Sequence, residues 1–158
     1  EAGIPEEEAP DPKDIFEIGM GRRDGSRASA LEAFRQLGEV AGDVVAQALT
    51  LVDSLVVIGG GVSGAHPLFL PALVEAANAR FERGGRYRRV VQEVFNLEEP
   101  DQVRVFLAGE RHAVTAPGSG RRIQFDPLKR TGVGLTRLGT SEAVAVGAQA
   151  FALSRLPG

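Results

Sequence analysis

The stretch Leu55–Ala65, Leu-Val-Val-Ile-Gly-Gly-Gly-Val-Ser-Gly-Ala, limits the folds open to this chain more than any other. Val56, Val57 and Ile58 form a short β-branched run, the pattern of a strand covered on both faces. Three consecutive glycines then let the backbone turn sharply and approach a neighbour closely. His66-Pro67 opens an apolar-periodic helix, with proline where a first-turn N–H lacks a helical partner anyway. Strand, glycine turn and helix in succession predict an α/β fold, and such turns are common seats for ligands.

The flanks extend this grammar. Ala28–Val52 carries Leu31, Phe34, Leu37, Ala41, Val44, Val45, Ala48, Leu49 and Val52 at spacings of three and four, which predicts a helix with one broad buried face. Ser26 can cap it, as can Ser29, which has capping-box spacing to Glu32. Beyond the turn, the helix from His66 is expected to reach about Glu82, burying Leu68, Phe69, Leu73, Val74 and Ala77 and stopping before Gly84-Gly85. A basic stretch, Arg83–Arg89, follows, and then Val90, Val91, Val94 and Phe95 recur at helix-compatible spacing. Pro100–Leu107 reads as a short helix with Asp101 favouring its N-terminal dipole. Ala113–Thr115 and Arg122–Phe125 flank Pro117-Gly118-Ser119-Gly120 and predict a hairpin. Gly132–Thr136 reads as a further strand. Thr140 or Ser141 is then expected to cap a closing helix from Glu142 to about Leu153, buried on most sides through Val144, Val146, Ala148, Ala150 and Phe151.

Glu1–Pro12 holds five acids and three prolines, the composition of an exposed linker. Asp11 can cap a short helix from Pro12 to about Ile18, and Gly19–Ser26 resets the chain. The expected organisation is therefore a linker and short helix over 1–27 and a lobe over 28–158. The start at Glu1, without initiator methionine or signal-like leader, suggests a fragment or a processed piece.

Composition narrows the function classes. A net charge of −3 gives no electrostatic reason to expect nucleic acid or an acidic membrane as partner. No apolar run approaches the roughly 18 residues that span a bilayer. The absence of cysteine leaves no disulfide or thiolate metal site and fits a cytoplasmic setting. Two histidines, His66 and His112, offer little for metal binding.

The glycine turn has three readings. Gly59-Gly60-Gly61-Val62-Ser63-Gly64 satisfies Gly-x-Gly-x-x-Gly after a strand and before a helix, as a dinucleotide-binding fingerprint does, but no strand ending in an acid follows about 20 positions on. The turn could also merely pack strand against helix. The third reading comes from resemblance. Val57-Ile58-Gly59-Gly60-Gly61-Val62-Ser63, after a long helix ending in Leu51-Val52-Asp53, resembles the adenosine motif of the ROK family (repressor, open reading frame, kinase). Leu138-Gly139, followed by small residues up to Gly147-Ala148, resembles that family's closing helix, so the resemblance runs from about Ala30 to Leu153.

This resemblance implies the actin/hexokinase-like ATPase fold, which is ribonuclease H-like, and a glucokinase-like parent that transfers a phosphoryl group from ATP to a hexose with Mg²⁺. It implies that Gly59, Gly60, Gly61, Val62 and Ser63 form the nucleotide-binding turn. The family's Asp-x-Gly-Gly-Thr phosphate loop, catalytic aspartate and zinc motif do not occur in these residues, so no catalytic or metal-binding residue is assigned here. The chain then corresponds to the C-terminal lobe, inactive alone, with the missing N-terminal lobe as partner, the sugar as the parent's substrate, and a homo-oligomer expected. A sugar-sensing transcriptional regulator of the same family is the alternative. The spacing from Gly139 to Gly147, Glu142 within it, and a long Phe95–Arg130 segment depart from the common pattern and imply a divergent branch.

Other polar residues carry two readings each. Arg121, Arg122, Lys129 and Arg130 could form an anion site or a solvated rim. His66 could touch a ligand or simply begin a helix. Asp126-Pro127 most simply starts a turn.

Overall fold

The computed structural model describes residues 10–80, 90 and 92–155, a mixed α/β unit. Two helices lead in, α1 (Pro12–Gly19) and α2 (Arg27–Leu51). Strand β1 (Val56–Ile58) passes through a 3₁₀ turn (Gly61–Ala65) into α3 (His66–Asn78). There follow β2 (Glu93–Asn96), α4 (Pro100–Ala108), the strands β3 (His112–Thr115) and β4 (Arg122–Phe125), β5 (Arg130–Leu135) and α5 (Thr140–Ser154).

Asp11 caps α1 as expected, its Oδ1 accepting from the Asp14 N–H at 2.7 Å. Ser26, rather than Ser29, caps α2: its Oγ accepts from the Ser29 N–H at 3.3 Å. On the outer face of α2, Arg35 donates to Glu32 at 2.6 and 2.7 Å and also binds Glu39. Hydrogen bonds from Arg35, and then from Gln36, bring the Glu32 carboxyl down to about 2.

The buried face of α2 differs from the expected one. Ala30, Phe34, Gly38, Gly42, Ala46 and Leu49 are buried, whereas Leu31, Leu37, Val44, Ala48 and Val52 are exposed. The cause is the close approach of α3. A Cβ on Gly38 would lie 2.4 Å from the Phe69 carbonyl oxygen, and one on Gly42 the same distance from that of Leu73. Only a stripe of small residues lets the two backbones meet this closely, and α3 then packs Leu70, Leu73 and Ala77 into the core.

Helix α3 ends at Asn78, short of the expected Glu82; Gly84-Gly85 and the basic Arg83–Arg89 stretch lie outside the described residues. Asn78 turns to β2, its amide donating to the Val94 carbonyl at 2.7 Å and its oxygen accepting from the Val94 N–H at 2.9 Å. The expected helix around Val94 and Phe95 is instead this strand. Its residues 94–96 are buried on both faces, so neither alternation nor helical periodicity marks it.

The sheet is parallel with order β1-β5-β2, and β5 pairs Val133 with Val56 on one side and Thr131 with Val94 on the other. Its core face is built from Val94 and Val133, with Val56 and Ile58 against it. Val57 is 67% exposed, so β1 is covered on one face only among the described residues, contrary to the expected two. The closing helix also departs from expectation. Its cap is Gly139, without a side-chain bond, and Ser141–Ser154 are exposed throughout, Val144 and Phe151 included. Nothing among the described residues covers this apolar helix.

Strands β3 and β4 form the expected antiparallel hairpin, with Val114 opposite Ile123 and His112 opposite Phe125. It stands clear of the body, exposed along its length.

Candidate functional site

The glycine turn sits at the C-terminal end of β1, the sheet edge where ligands bind in open α/β folds. Its glycines have different reasons to be there. Gly59 makes room for β5's continuation, since a Cβ there would meet Thr136 Cγ2 at 3.2 Å, and the Thr136 N–H bonds the Ile58 carbonyl at 2.9 Å. Gly60 has φ 94°, a conformation that L side chains rarely adopt. At Gly61 and Gly64 an added Cβ would meet nothing within 4 Å and φ is ordinary. Packing inside the chain therefore accounts for the first of these glycines and backbone geometry for the second, and neither accounts for Gly61 or Gly64.

Ser63 locks the turn. Its N–H and Oγ both donate to the Gly60 carbonyl, at 3.2 and 2.7 Å. The hydroxyl does not cap α3, whose N-cap is Ala65 without a side-chain bond. His66 Nδ1 lies 3.1 Å from the Ser63 carbonyl, and since a carbonyl only accepts, that nitrogen carries the proton. His66 thus fastens the turn to the start of α3. At the opening of the turn, Gly61 and Val62 present N–H groups that have no partner within it, the usual condition at a helical N-terminus.

A cavity of about 440 Å³ opens beside these groups. Gly61, Val62 and Gly64 form one wall, Lys13 and Phe16 of α1 the other, and Phe34 of α2 borders it too. The two phenylalanine rings meet edge to face at 6.4 Å. The surroundings are largely apolar, with Lys13 and Asp11 as the charged residues of the lining. Lys13 and Phe16 are the contributors that the sequence did not reveal: they lie on the short helix from Pro12, which was expected to stand outside the 28–158 lobe.

No family model and no curated protein matches this chain. It is similar to the crystal structure of a glucokinase from Parabacteroides distasonis ATCC 8503, with 42% sequence identity and a TM-score of 0.81. The likeness covers 99% of this chain and 41% of that one. The described residues thus have the fold of part of a glucokinase. The chain spans about two fifths of that protein's length.

The same topology separates the turn from the dinucleotide fingerprint it matches by letter. There, the strand after the helix lies beside the first and ends in an acid. Here, among the described residues, the next strand after the helix is β2; β5 intervenes between it and β1, and β2 ends in Asn96, whose Oδ1 accepts from the Glu98 N–H at 3.0 Å.

The basic residues near the hairpin do not converge. Arg130 pairs with Asp126 at 2.5 Å and lies over the Phe106 ring at 5.7 Å, while Arg121 and Arg122 stand exposed near the hairpin tip. Asp126 starts the expected turn, accepting from the Leu128 N–H at 2.9 Å. Partial desolvation opposes its charge, but the Leu128 and Glu110 N–H groups and Arg130 outweigh it and hold the carboxyl below its ordinary range. His112 pairs with Glu110 at 3.2 Å.

Proposed function

We propose that this chain is the C-terminal lobe of a ROK-family sugar kinase with the actin/hexokinase-like fold, and that its glycine turn forms the adenosine side of the ATP site. The observation that carries the reading is the open space at Gly61 and Gly64 beside a largely apolar cavity, in a chain similar along its length to part of a glucokinase. Gly59, Gly60, Gly61, Val62 and Ser63 would hold the nucleotide. A flat heteroaromatic base suits the cavity, and the N–H groups opening the turn suit anionic oxygens. Bound ATP supplies the phosphoryl group for a sugar hydroxyl. Mg²⁺ enters this reading only with the longer protein: among the described residues no three potential ligands converge, and none is assigned to it.

The catalytic groups belong to the remainder of the longer protein, which is also the partner that covers Val57, Val144 and Phe151. An uncovered apolar surface of this kind marks a missing neighbour.

Calorimetric titration of the chain with ATP, ADP and NADH tests the assignment. ATP and ADP are expected to bind, with NADH no tighter, and Gly61→Val is expected to weaken ADP at least tenfold without lowering the melting temperature. Equal binding by the variant, or none by the parent chain, removes the site from this turn. ATP-dependent sugar phosphorylation should be absent with this chain alone, and sustained turnover would refute the division of labour.

A further inference from the structure

Glu98 sits where the sheet runs short of a strand. Strand β2 ends at Asn96, and the Leu97 N–H still reaches β5, bonding the Val133 carbonyl at 2.8 Å. The Leu135 N–H, next along that margin of β5, has no strand beside it. Glu98 supplies the missing acceptor, its Oε1 taking the Leu135 N–H at 2.9 Å. Glycines make this possible: a Cβ on Gly132 would meet the Leu97 side chain at 2.6 Å, and one on Gly134 would lie 3.4 Å from Leu97 Cβ.

The same carboxylate holds Arg137, whose Nη2 lies 3.2 Å from Oε2 and 3.5 Å from Oε1. The two side chains differ sharply in exposure, 14% for Glu98 and 79% for Arg137. Glu98 is therefore the fixed member of the pair and the guanidinium the member offered to solvent. Arginine carries five N–H donors in a rigid fork. The Glu98 contact occupies Nη2, and the other guanidinium donors of Arg137 have no partner among the described residues.

The position of this cation gives it a use. Thr136, the residue before it, bonds the Ile58 carbonyl and is the residue that a Cβ on Gly59 would meet. The Thr136 Oγ1 also accepts from the Leu138 N–H at 3.2 Å, which fixes the backbone on the other side of Arg137. Neighbouring strands lie about 4.8 Å apart, so the Arg137 backbone runs close beside the glycine turn at the same C-terminal edge of the sheet.

We propose that Arg137, braced by Glu98, is a specificity-determining residue of the nucleotide site: its guanidinium attracts the phosphates, so that the turn prefers nucleotides to nucleosides, more strongly as phosphates are added. A guanidinium matches phosphate oxygens in charge and in geometry. The proposal deepens the nucleotide reading of the glycine turn and rests on it.

Calorimetric titration with adenosine, AMP, ADP and ATP, on the chain and on Arg137→Met and Arg137→Lys, decides it. Arg137→Met should weaken ADP about tenfold, the worth of one charge-assisted contact, weaken ATP further, and leave adenosine within about twofold. Arg137→Lys keeps a cation and should hold ADP affinity within about threefold. Because the side chain is mostly exposed, neither variant should lower the melting temperature. Equal weakening of adenosine and ADP would show that the pair only keeps the turn in shape, and overturns the proposal. So does an ADP affinity unchanged in Arg137→Met, or reduced as far in Arg137→Lys. These results leave the turn itself in place if Gly61→Val still weakens ADP. If Gly61→Val is without effect, or the unaltered chain binds neither adenosine nor ADP, the nucleotide reading fails and this proposal falls with it.

Discussion

The two sides of α2 follow opposite rules. The buried side carries Gly38, Gly42 and Ala46 between Phe34 and Leu49, with small residues where α3 comes closest. The side facing away carries Val40, Val44 and Leu51, which are apolar and at least 61% exposed. At Gly38 and Gly42 burial is governed by how near the neighbouring backbone comes, not by side-chain hydrophobicity. A helix can thus bury small residues where a neighbouring backbone comes close and leave large ones bare, without a cover among the described residues. The exposed Val57, Val144 and Phe151 follow the second rule, and the glucokinase, of which this chain spans 41%, has the additional length to supply such a cover.

The strongest way to break the comparison is to put bulk on the tight side. Gly42→Leu is expected to cost about 3 kcal/mol or more, because its Cβ already meets the Leu73 carbonyl and the backbones must part. Val44→Ser on the other side should change stability by less than about 0.5 kcal/mol. Urea unfolding of the two variants reads the contrast directly; similar losses in both would show that the outer face is packed within this chain. A smaller effect sharpens the contrast at the end of α3. Asn78→Ala strips both side-chain bonds from the Val94 backbone and should cost about 2 kcal/mol, the penalty for leaving largely buried peptide groups unmet. An unchanged unfolding midpoint would mean that other groups replace them.

The smallest effect concerns the exposed ion pairs of α2. The Glu32 carboxyl lies at about 2 in the folded chain, against an ordinary 4.5. A depressed folded value stabilises above the unfolded one, so the contribution is present above 4.5 and disappears as pH falls towards 2. Solvent screening keeps it small. A carbon-detected NMR titration should place the Glu32 midpoint near 2, and a midpoint at the ordinary carboxylate value would show that the Arg35 contact is not held in solution.

Where local chemistry decided the structure, the sequence was readable. Asp11 and Ser26 at their caps, Pro67 in the first turn of α3, and the Pro117–Gly120 hairpin turn all act through neighbours in the chain. The strand at Val56–Ile58 and the glycine turn after it were visible for the same reason. Elements decided by distant packing were not. The face of α2 depended on how closely α3 approaches, which no periodicity of large residues encodes. The strand at Glu93–Asn96 was obscured because a strand buried on both faces loses the alternation that identifies it. The closing helix looked like core because its composition suits burial, yet nothing among the described residues covers it. At the site, the Gly59–Ser63 turn could be read, but the wall contributed by Lys13 and Phe16 could not. They are brought there by the docking of α1, more than forty positions earlier.

The amides of Asn78 and Gln102 give the sheet a direction of growth. Asn78 occupies both the N–H and carbonyl of Val94, Gln102 accepts from the Asn96 N–H, and the Glu99 N–H reaches the Asn96 carbonyl. The outer margin of β2 therefore has no vacant rungs for another strand, whereas β1 at the opposite margin has no such plugs among the described residues. Within this three-stranded sheet, the margin left open among the described residues is the one beside β1. Even if two chains joined there, two three-stranded sheets would make six strands terminated by β2 at both ends. Among the described residues, edge-to-edge joining of this sheet is thereby self-terminating, a guard for a chain with so much bare apolar surface.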